Sequence, residues 1–289
     1  MRFFGDVPPE ALTPERIDAW KVDVLQRGLL PSTVNAYLLG LGAFLNWLVG
    51  EGVLTESPVL AVPLVKSRDT SAPPVFDRES LRRIVKGAKR PVRAGRDAFT
   101  VLRDETVVLL LADTGMRASE CAKTHVADVN LAARQIRIRA EVAKGRYERV
   151  VTFGFETARC LGRYLRARDG HRLSFLPELF LTQMGAMTYK TVHQIVSDAG
   201  KAAGVLGARP HLLRHTWAHD LKAQGVDTEV LMSLGGWRSF EMPMRYGRAA
   251  KQERAIAALQ RVGSTVDRAR VTPTRERSVK HADSRRSVG

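Results

Sequence analysis

Cysteine is nearly absent from this 289-residue chain, which holds only Cys121 and Cys160. They fall in helical patterns with no metal or redox spacing, so they read as buried, reduced thiols of a cytosolic protein. Long apolar runs are missing as well. The longest unbroken one, Val107–Ala112, falls far short of the roughly 20 residues that span a bilayer, and no membrane partner is expected. The N-terminus, MRFFGDVPPEALTPER, lacks the apolar h-region of a secretory signal. Acidic residues are in deficit: 30 Asp and Glu stand against 46 Lys and Arg, a net charge of +16. An excess of that size points to a polyanion partner, most simply nucleic acid.

The excess is unevenly placed. Residues 1–65 carry 4 Lys and Arg against 7 Asp and Glu, a net of −3, and residues 263–289 carry 7 against 3, a net of +4. The remaining stretch, 66–262, therefore holds +15. The charge belongs mainly to a segment able to fold, not to a tail.

What is present is chiefly helix. Thr13-Pro14-Glu15 supplies a capping hydroxyl, a proline at the first helical position and an acid in the first turn. Ile17, Trp20, Val24 and Leu25 then recur at helical spacing up to Gly28. A second helix is expected over 32–49, with Val34, Tyr37, Leu38, Leu41, Phe44, Leu45 and Leu48 on its apolar stripe. Together they make a small all-α unit, residues 1–65. The stretch 66–77, with Pro73-Pro74 among small polar residues, reads as a semi-rigid linker.

Asp77 caps a helix over 78–86, a basic loop follows at 89–96, and another helix runs over 97–112. Gly115 breaks it, placing Arg117 at the start of the next helix with Glu120 one turn along, where a carboxylate can hold a guanidinium rigid. The period then changes from helix to strand. Residues 135–139 and 148–153 alternate apolar and polar about a Lys144-Gly145-Arg146 turn, giving a β-hairpin with a lysine at its tip. Helical patterns return over 156–168, 188–203 and 211–224. Ala255, Ile256, Leu259 and Val262 form an apolar stripe on a short helix that packs on its own body or on a neighbouring protomer. Residues 263–289 read as a basic, disordered tail. The fold class is mainly α with a small antiparallel β-sheet (α+β).

Breaking a phosphodiester without a metal calls for a particular set of groups. Two guanidiniums can clamp the non-bridging oxygens, and a phenol can attack if that cationic field activates it. A lysine at a hairpin tip can protonate the leaving oxygen. Arg117, Lys144, His211, Arg214, Trp237 and Tyr246 supply those roles in the right number. Each also has a plainer reading. The arginines could be ordinary ion-pair partners, Trp237 after two glycines could fill a core, and Lys144 stands beside Arg146 and Arg149. His211, His215 and His219 share one helical face, but Leu212 stands where a H-E-x-x-H zinc motif needs Glu, so no metal or other cofactor is expected.

The order and spacing of these groups resemble the tyrosine recombinase, or phage-integrase-like, family. Its boxes appear as Thr114-Gly115-Met116-Arg117-Ala118-Ser119-Glu120, Lys144-Gly145 with Arg149, His211-Leu212-Leu213-Arg214-His215, Gly236-Trp237 and Tyr246. The Gly235-Gly236-Trp237 version is Cre-like. The resemblance covers roughly residues 10–260 and implies a two-domain, C-shaped clamp on duplex DNA. A helical core-site-binding domain would lie at 1–65 and a catalytic domain at 78–262. It implies a site-specific recombinase, or integrase, that cuts and rejoins DNA through a 3′-phosphotyrosine link to Tyr246. Arg117 and Arg214 would hold the phosphate, Lys144 would be the acid, and His211 would assist proton transfer. Trp237 would bond the phosphate through its indole, while Glu120 and His215 would support the site. It further implies a dimer on each site, a tetramer in the synapse and a cytoplasmic, nucleoid-associated location. No room is expected for an arm-site-binding domain ahead of residue 13. The acidic N-terminal unit departs from a basic clamp, so its DNA contacts are sought at Arg27, Ser32, Thr33 and Asn35, with Arg146 and Arg149 in the catalytic part. Two other functions fit less of the pattern: a type IB topoisomerase-like nicking and closing enzyme, and a non-catalytic, sequence-specific DNA-binding protein.

Overall fold

Proline and capping side chains open most of the helices. The computed structural model describes residues 3–66, 73–89, 97–143 and 147–262, and the chain folds as two compact units, Met1–Ser71 and Ala72–Gly289. The linker segment 67–72, the loop 90–96, the hairpin tip 144–146 with Lys144 and Arg146, and the tail 263–289 lie outside the described residues.

The first unit is built on α1 (Pro14–Gln26) and α2 (Pro31–Gly50). Thr13 caps α1 by accepting the Arg16 backbone N–H at 3.4 Å. Ile17 of α1 meets Val34, Leu38, Leu41, Leu45 and Leu48 of α2, and Phe4, Leu12 and Val62 complete this core. By length and composition alone α2 is apolar enough to cross a membrane. Its buried face, though, is one wall of this core, as in a core helix of a globular unit. Two residues of the expected stripe are not in that wall: Tyr37 and Phe44 are 55% and 43% exposed and border an apolar groove with Phe3, Phe4 and Trp20. A helix this apolar offers several faces, and packing against α1 selects one. Asn35, expected to face DNA, is engaged internally. Its amide donates to the Val65 carbonyl at 2.9 Å and accepts the Val65 N–H at 2.8 Å. Arg27 is exposed and pairs with Asp23 at 2.9 Å, while Ser32 is exposed and Thr33 half-buried.

The second unit wraps α3 (Arg78–Ala88), α6 (Phe155–Asp169), α7 (Tyr189–Ala202) and α8 (Pro210–Ala223) around α4 (Ala98–Thr114). Val107, Val108 and Leu110 of α4 are sealed from solvent in the main core. Asp77, Asp97 and Thr188 each accept a backbone N–H three residues on, starting α3, α4 and α7. Between α4 and α6 lie α5 (Ala118–Lys123) and an antiparallel sheet of order β1-β2-β3, comprising Val129–Asn130, Gln135–Ile138 and Arg149–Thr152. Ile136 pairs with Val151 and Ile138 with Arg149. The expected hairpin therefore forms, and alternation turns Ile136, Ile138 and Val151 inward.

Two features carry no period in the sequence. Strand β1 and the pair β4 (Leu181–Thr182) and β5 (Gly185–Ala186) are two residues each. The loop before β4 is instead held by buried Arg168, which donates to the carbonyls of Ser174, Leu176, Glu178 and Leu179. After α8 come α9 (Thr228–Gly235) and α10 (Glu241–Val262). The stripe expected on a separate short helix is the distal part of α10, and Ile256 and Leu259 on it are exposed. Both cysteines are buried and free.

Candidate active site

The arginine cluster is built where three helix ends meet. Gly115 ends α4 at φ 60°, a left-handed conformation, and the Trp217 indole occupies the place where a Cβ would stand. That turn frees the Gly115 carbonyl to accept Arg214 Nη1 at 2.6 Å, while Arg214 Nη2 donates to the Gly235 carbonyl at 2.5 Å. The guanidinium also lies 4.2 Å from the Trp237 ring centroid. Arg214 is only 3% exposed. Burial, and then the nearby Arg117 charge, pushes its pKa down to about 9. It remains a cation at neutral pH with its direction fixed.

Arg117 sits at the N-cap of α5, as expected from the Gly115 break. Glu120 accepts its backbone N–H at 2.8 Å and its Nη1 at 2.9 Å, and Arg117 Nη2 donates to the Gly236 carbonyl at 3.2 Å. Glu120 is fully buried. Burial by itself drives that carboxyl upward, but Arg149 and then Arg117 outweigh it and hold the group below the usual carboxylate range. Arg149 is thus a correction. Expected at DNA, it lies inside the protein, its guanidinium spread across Glu120 at 2.6 and 3.1 Å. A buried carboxylate needs a full set of donors, and β3 delivers this one on the same face as buried Val151.

Arg117, Arg214 and His211 share one cavity of about 350 Å³, together with Met116, Ser119, Tyr189 and His193. The His211 imidazole is held below its ordinary pKa by burial, then by Arg214, Arg209 and Arg117. A cavity walled by two guanidiniums and a neutral imidazole suits a tetrahedral dianion or monoanion. Tyr189 and His193 of α7 are site residues that the motif spacing missed. Their i, i+4 separation, with ring centroids 4.5 Å apart, was the available signal.

Tyr246, near the start of α10, is 1% exposed and packs with Leu231, Trp217, Trp237 and Met242. Its hydroxyl is hydrogen-bonded to His215 Nδ1 and not to His211. Burial raises the phenol to about 12, with Arg214 and Arg245 working against that rise. Burial also drives His215 down to about 4, helped by His211 and Arg214, so this imidazole is neutral at pH 7. Trp237 stands between Trp217, 6.3 Å away, and Tyr246, 6.0 Å away. His219, the third histidine of the helical face, lies 3.8 Å from Asp220. Among the described residues no cluster of His, Cys, Asp and Glu could hold a metal ion.

The phage integrase family pattern matches residues 75–253. The chain belongs to that family. It is 30% identical over 250 residues to the tyrosine recombinase XerC of Thermodesulfovibrio yellowstonii, covering 84% of this chain and 80% of that protein. The fold is shared with the XerH site-specific recombinase solved with its palindromic difH substrate, at TM-score 0.72 and 19% identity, covering 91% of this chain and 76% of the other. It is shared too with the Tn1549 transposon integrase in complex with transposon right end DNA, at TM-score 0.62 and 18% identity, covering 90% and 88%. Matched residues 75–253 of this integrase-family chain include the whole cavity and Tyr246.

Proposed function

We propose that this site-specific recombinase cuts and rejoins duplex DNA through a 3′-phosphotyrosine link made by Tyr246. The observation that carries the reading is the cavity in which Arg117, Arg214 and His211 converge, with Tyr246 buried one helical turn behind it against His215. The Tyr246 oxygen attacks the scissile phosphorus, the bond to the 5′-oxygen breaks, and Lys144 gives that oxygen its proton. The 5′-hydroxyl of a partner strand then attacks the phosphotyrosine, and the phenol leaves with its proton restored. One phosphodiester is exchanged for another, so no external energy source enters. Arg117 and Arg214 stabilise the charge that builds on the non-bridging oxygens. His215, which bonds the phenol, and His211 beside it relay protons to and from Tyr246, and Trp237, in the Cre-like box, donates its indole N–H to the phosphate. Glu120 holds Arg117 in place.

Duplex DNA as the partner is supported by the charge of +15 over residues 66–262 and by the DNA bound to the Tn1549 integrase. The first unit, with Arg27, Ser32 and Thr33 exposed or half-exposed, and Arg146 of the hairpin tip are its candidate further contacts. Two protomers on each site and four in a synapse, at the nucleoid in the cytoplasm, complete the reading.

The test uses a duplex selected from random sequence by binding to the protein, then nicked next to the cleavage position so that the cut strand diffuses away. The wild-type chain forms a covalent adduct, and Tyr246→Phe binds the duplex but forms none. An adduct that persists in Tyr246→Phe, or none in the wild type, overturns the reading. Joined products from two marked duplexes, and not relaxation of a supercoil alone, separate recombination from nicking and closing.

A further inference from the structure

Arg149 is a buried cation to which the mechanism above gives no part. Its Nη1 and Nη2 donate to Glu120 Oε1 and Oε2 at 3.1 and 2.6 Å, and its Nε donates to the Leu234 carbonyl at 2.9 Å. Arg117 draws on the same carboxylate, through its backbone N–H at 2.8 Å and Nη1 at 2.9 Å. One carboxylate between two guanidiniums leaves one positive charge over. Without Arg149, a carboxylate with no solvent contact would have Arg117 as its nearest cation, and the pair would be neutral where a phosphate has to bind. Arg149 also braces the turn that presents Trp237. Gly236 there has φ 63°, and a Cβ at that position would stand 3.0 Å from Arg149 Nη1. The same side chain thus joins β3, the base of the lysine-bearing hairpin, to α5 and to the end of α9.

We propose that Arg149 is a positioning residue for strand transfer: by neutralising Glu120 and tying β3 to the Leu234 carbonyl of α9, it leaves Arg117 charged and aimed at the scissile phosphate. It acts through Arg117 and touches no DNA. The proposal rests on the recombinase mechanism above.

The test compares wild type, Arg149→Met, Arg149→Lys, Glu120→Gln and the double variant Arg149→Met/Glu120→Gln on the nicked duplex. Both the adduct-forming rate at saturating DNA and the Kd are read. Arg149→Met slows the rate by about 100-fold, the cost of a small misplacement of a clamp, while Kd moves by less than about threefold. Removing the stranded carboxylate restores rate, so the double variant is faster than Arg149→Met by about tenfold, a non-additivity expected of residues sharing one network. Arg149→Lys, which keeps the charge and loses the fork, falls between wild type and Arg149→Met. A double variant no faster than Arg149→Met overturns the proposal, as does a Kd change large enough to account for the whole loss. Should Arg149→Met fail to melt cooperatively, the double variant decides: cooperative melting with measurable cleavage supports the charge role, and a second unfolded chain overturns it. A wild type that forms no adduct overturns the recombinase mechanism and this role with it. A wild-type adduct whose rate is indifferent to Arg149 overturns this role alone.

Discussion

Two histidines one turn apart on α8 differ because different neighbours reach them. His211 lines the cavity with Arg117 and Arg214, whereas His215 bonds the Tyr246 hydroxyl, although their ring centroids are only 4.0 Å apart. The motif spacing identified both as belonging to one box, but which of them meets the phenol depends on where α10 crosses α8, a tertiary fact. Their burial has a consequence for stability. His215 titrates at about 4 when folded against an ordinary 6.5, and His211 and His193 are displaced in the same direction. Between those values the unfolded chain binds protons that the folded chain refuses. Stability is therefore level above about pH 6.5 and falls as pH drops from there toward 4. Urea midpoints measured from pH 8 to pH 4.5 should show that decline, and His215→Asn should make it shallower without removing it, since His211 and His193 remain. A wild-type midpoint that does not change across this range contradicts the displacement.

Elements announce themselves where a side chain caps or a period repeats, and stay hidden where packing alone defines them. Thr13, Asp77, Asp97 and Thr188 mark helix starts by accepting backbone N–H groups, and the sequence reading placed those starts to within a residue or two. The hairpin was legible from alternation. The same alternation puts Arg149 on the face of Val151, so its burial is legible, but an arginine in a basic chain suggests a DNA contact just as readily. Strands of two residues have no period to read, and the exposed aromatics of α2 share their helix with too many apolar neighbours for the pattern to choose a face. Gly115 is the element boundary on which the site most depends. Gly115→Ala would pair a left-handed backbone, costing about 1–2 kcal/mol for an L-residue, with a methyl group in the space of the Trp217 ring. A melting temperature lower by about 5 °C or more is expected for a unit of this size. Cleavage should fall as well, because the Gly115 carbonyl is a partner of Arg214. A variant that melts with wild type would show that neither constraint matters.

At the scale of the whole molecule, charge and candidate site coincide: the stretch 66–262 that holds +15 also holds the cavity and Tyr246, while residues 1–65 sum to −3. Affinity for duplex should therefore come largely from counterion release around the second unit. Log Kd should rise linearly with log salt, with a slope near +0.9 per phosphate neutralised. The 7 Lys and Arg of residues 263–289 can add to that slope but hold none of the proposed catalytic groups. Deleting 263–289 should thus weaken binding at low salt and flatten the slope by no more than about 6. The adduct-forming rate at saturating DNA should stay at the wild-type value. Fluorescence anisotropy across a salt series gives the first quantity, and the nicked duplex gives the second. If the truncated chain binds as steeply as the full one, its basic residues meet no phosphate. If its saturated rate collapses, the segment takes part in assembling the site, and the division between a chemical middle and a binding tail does not hold.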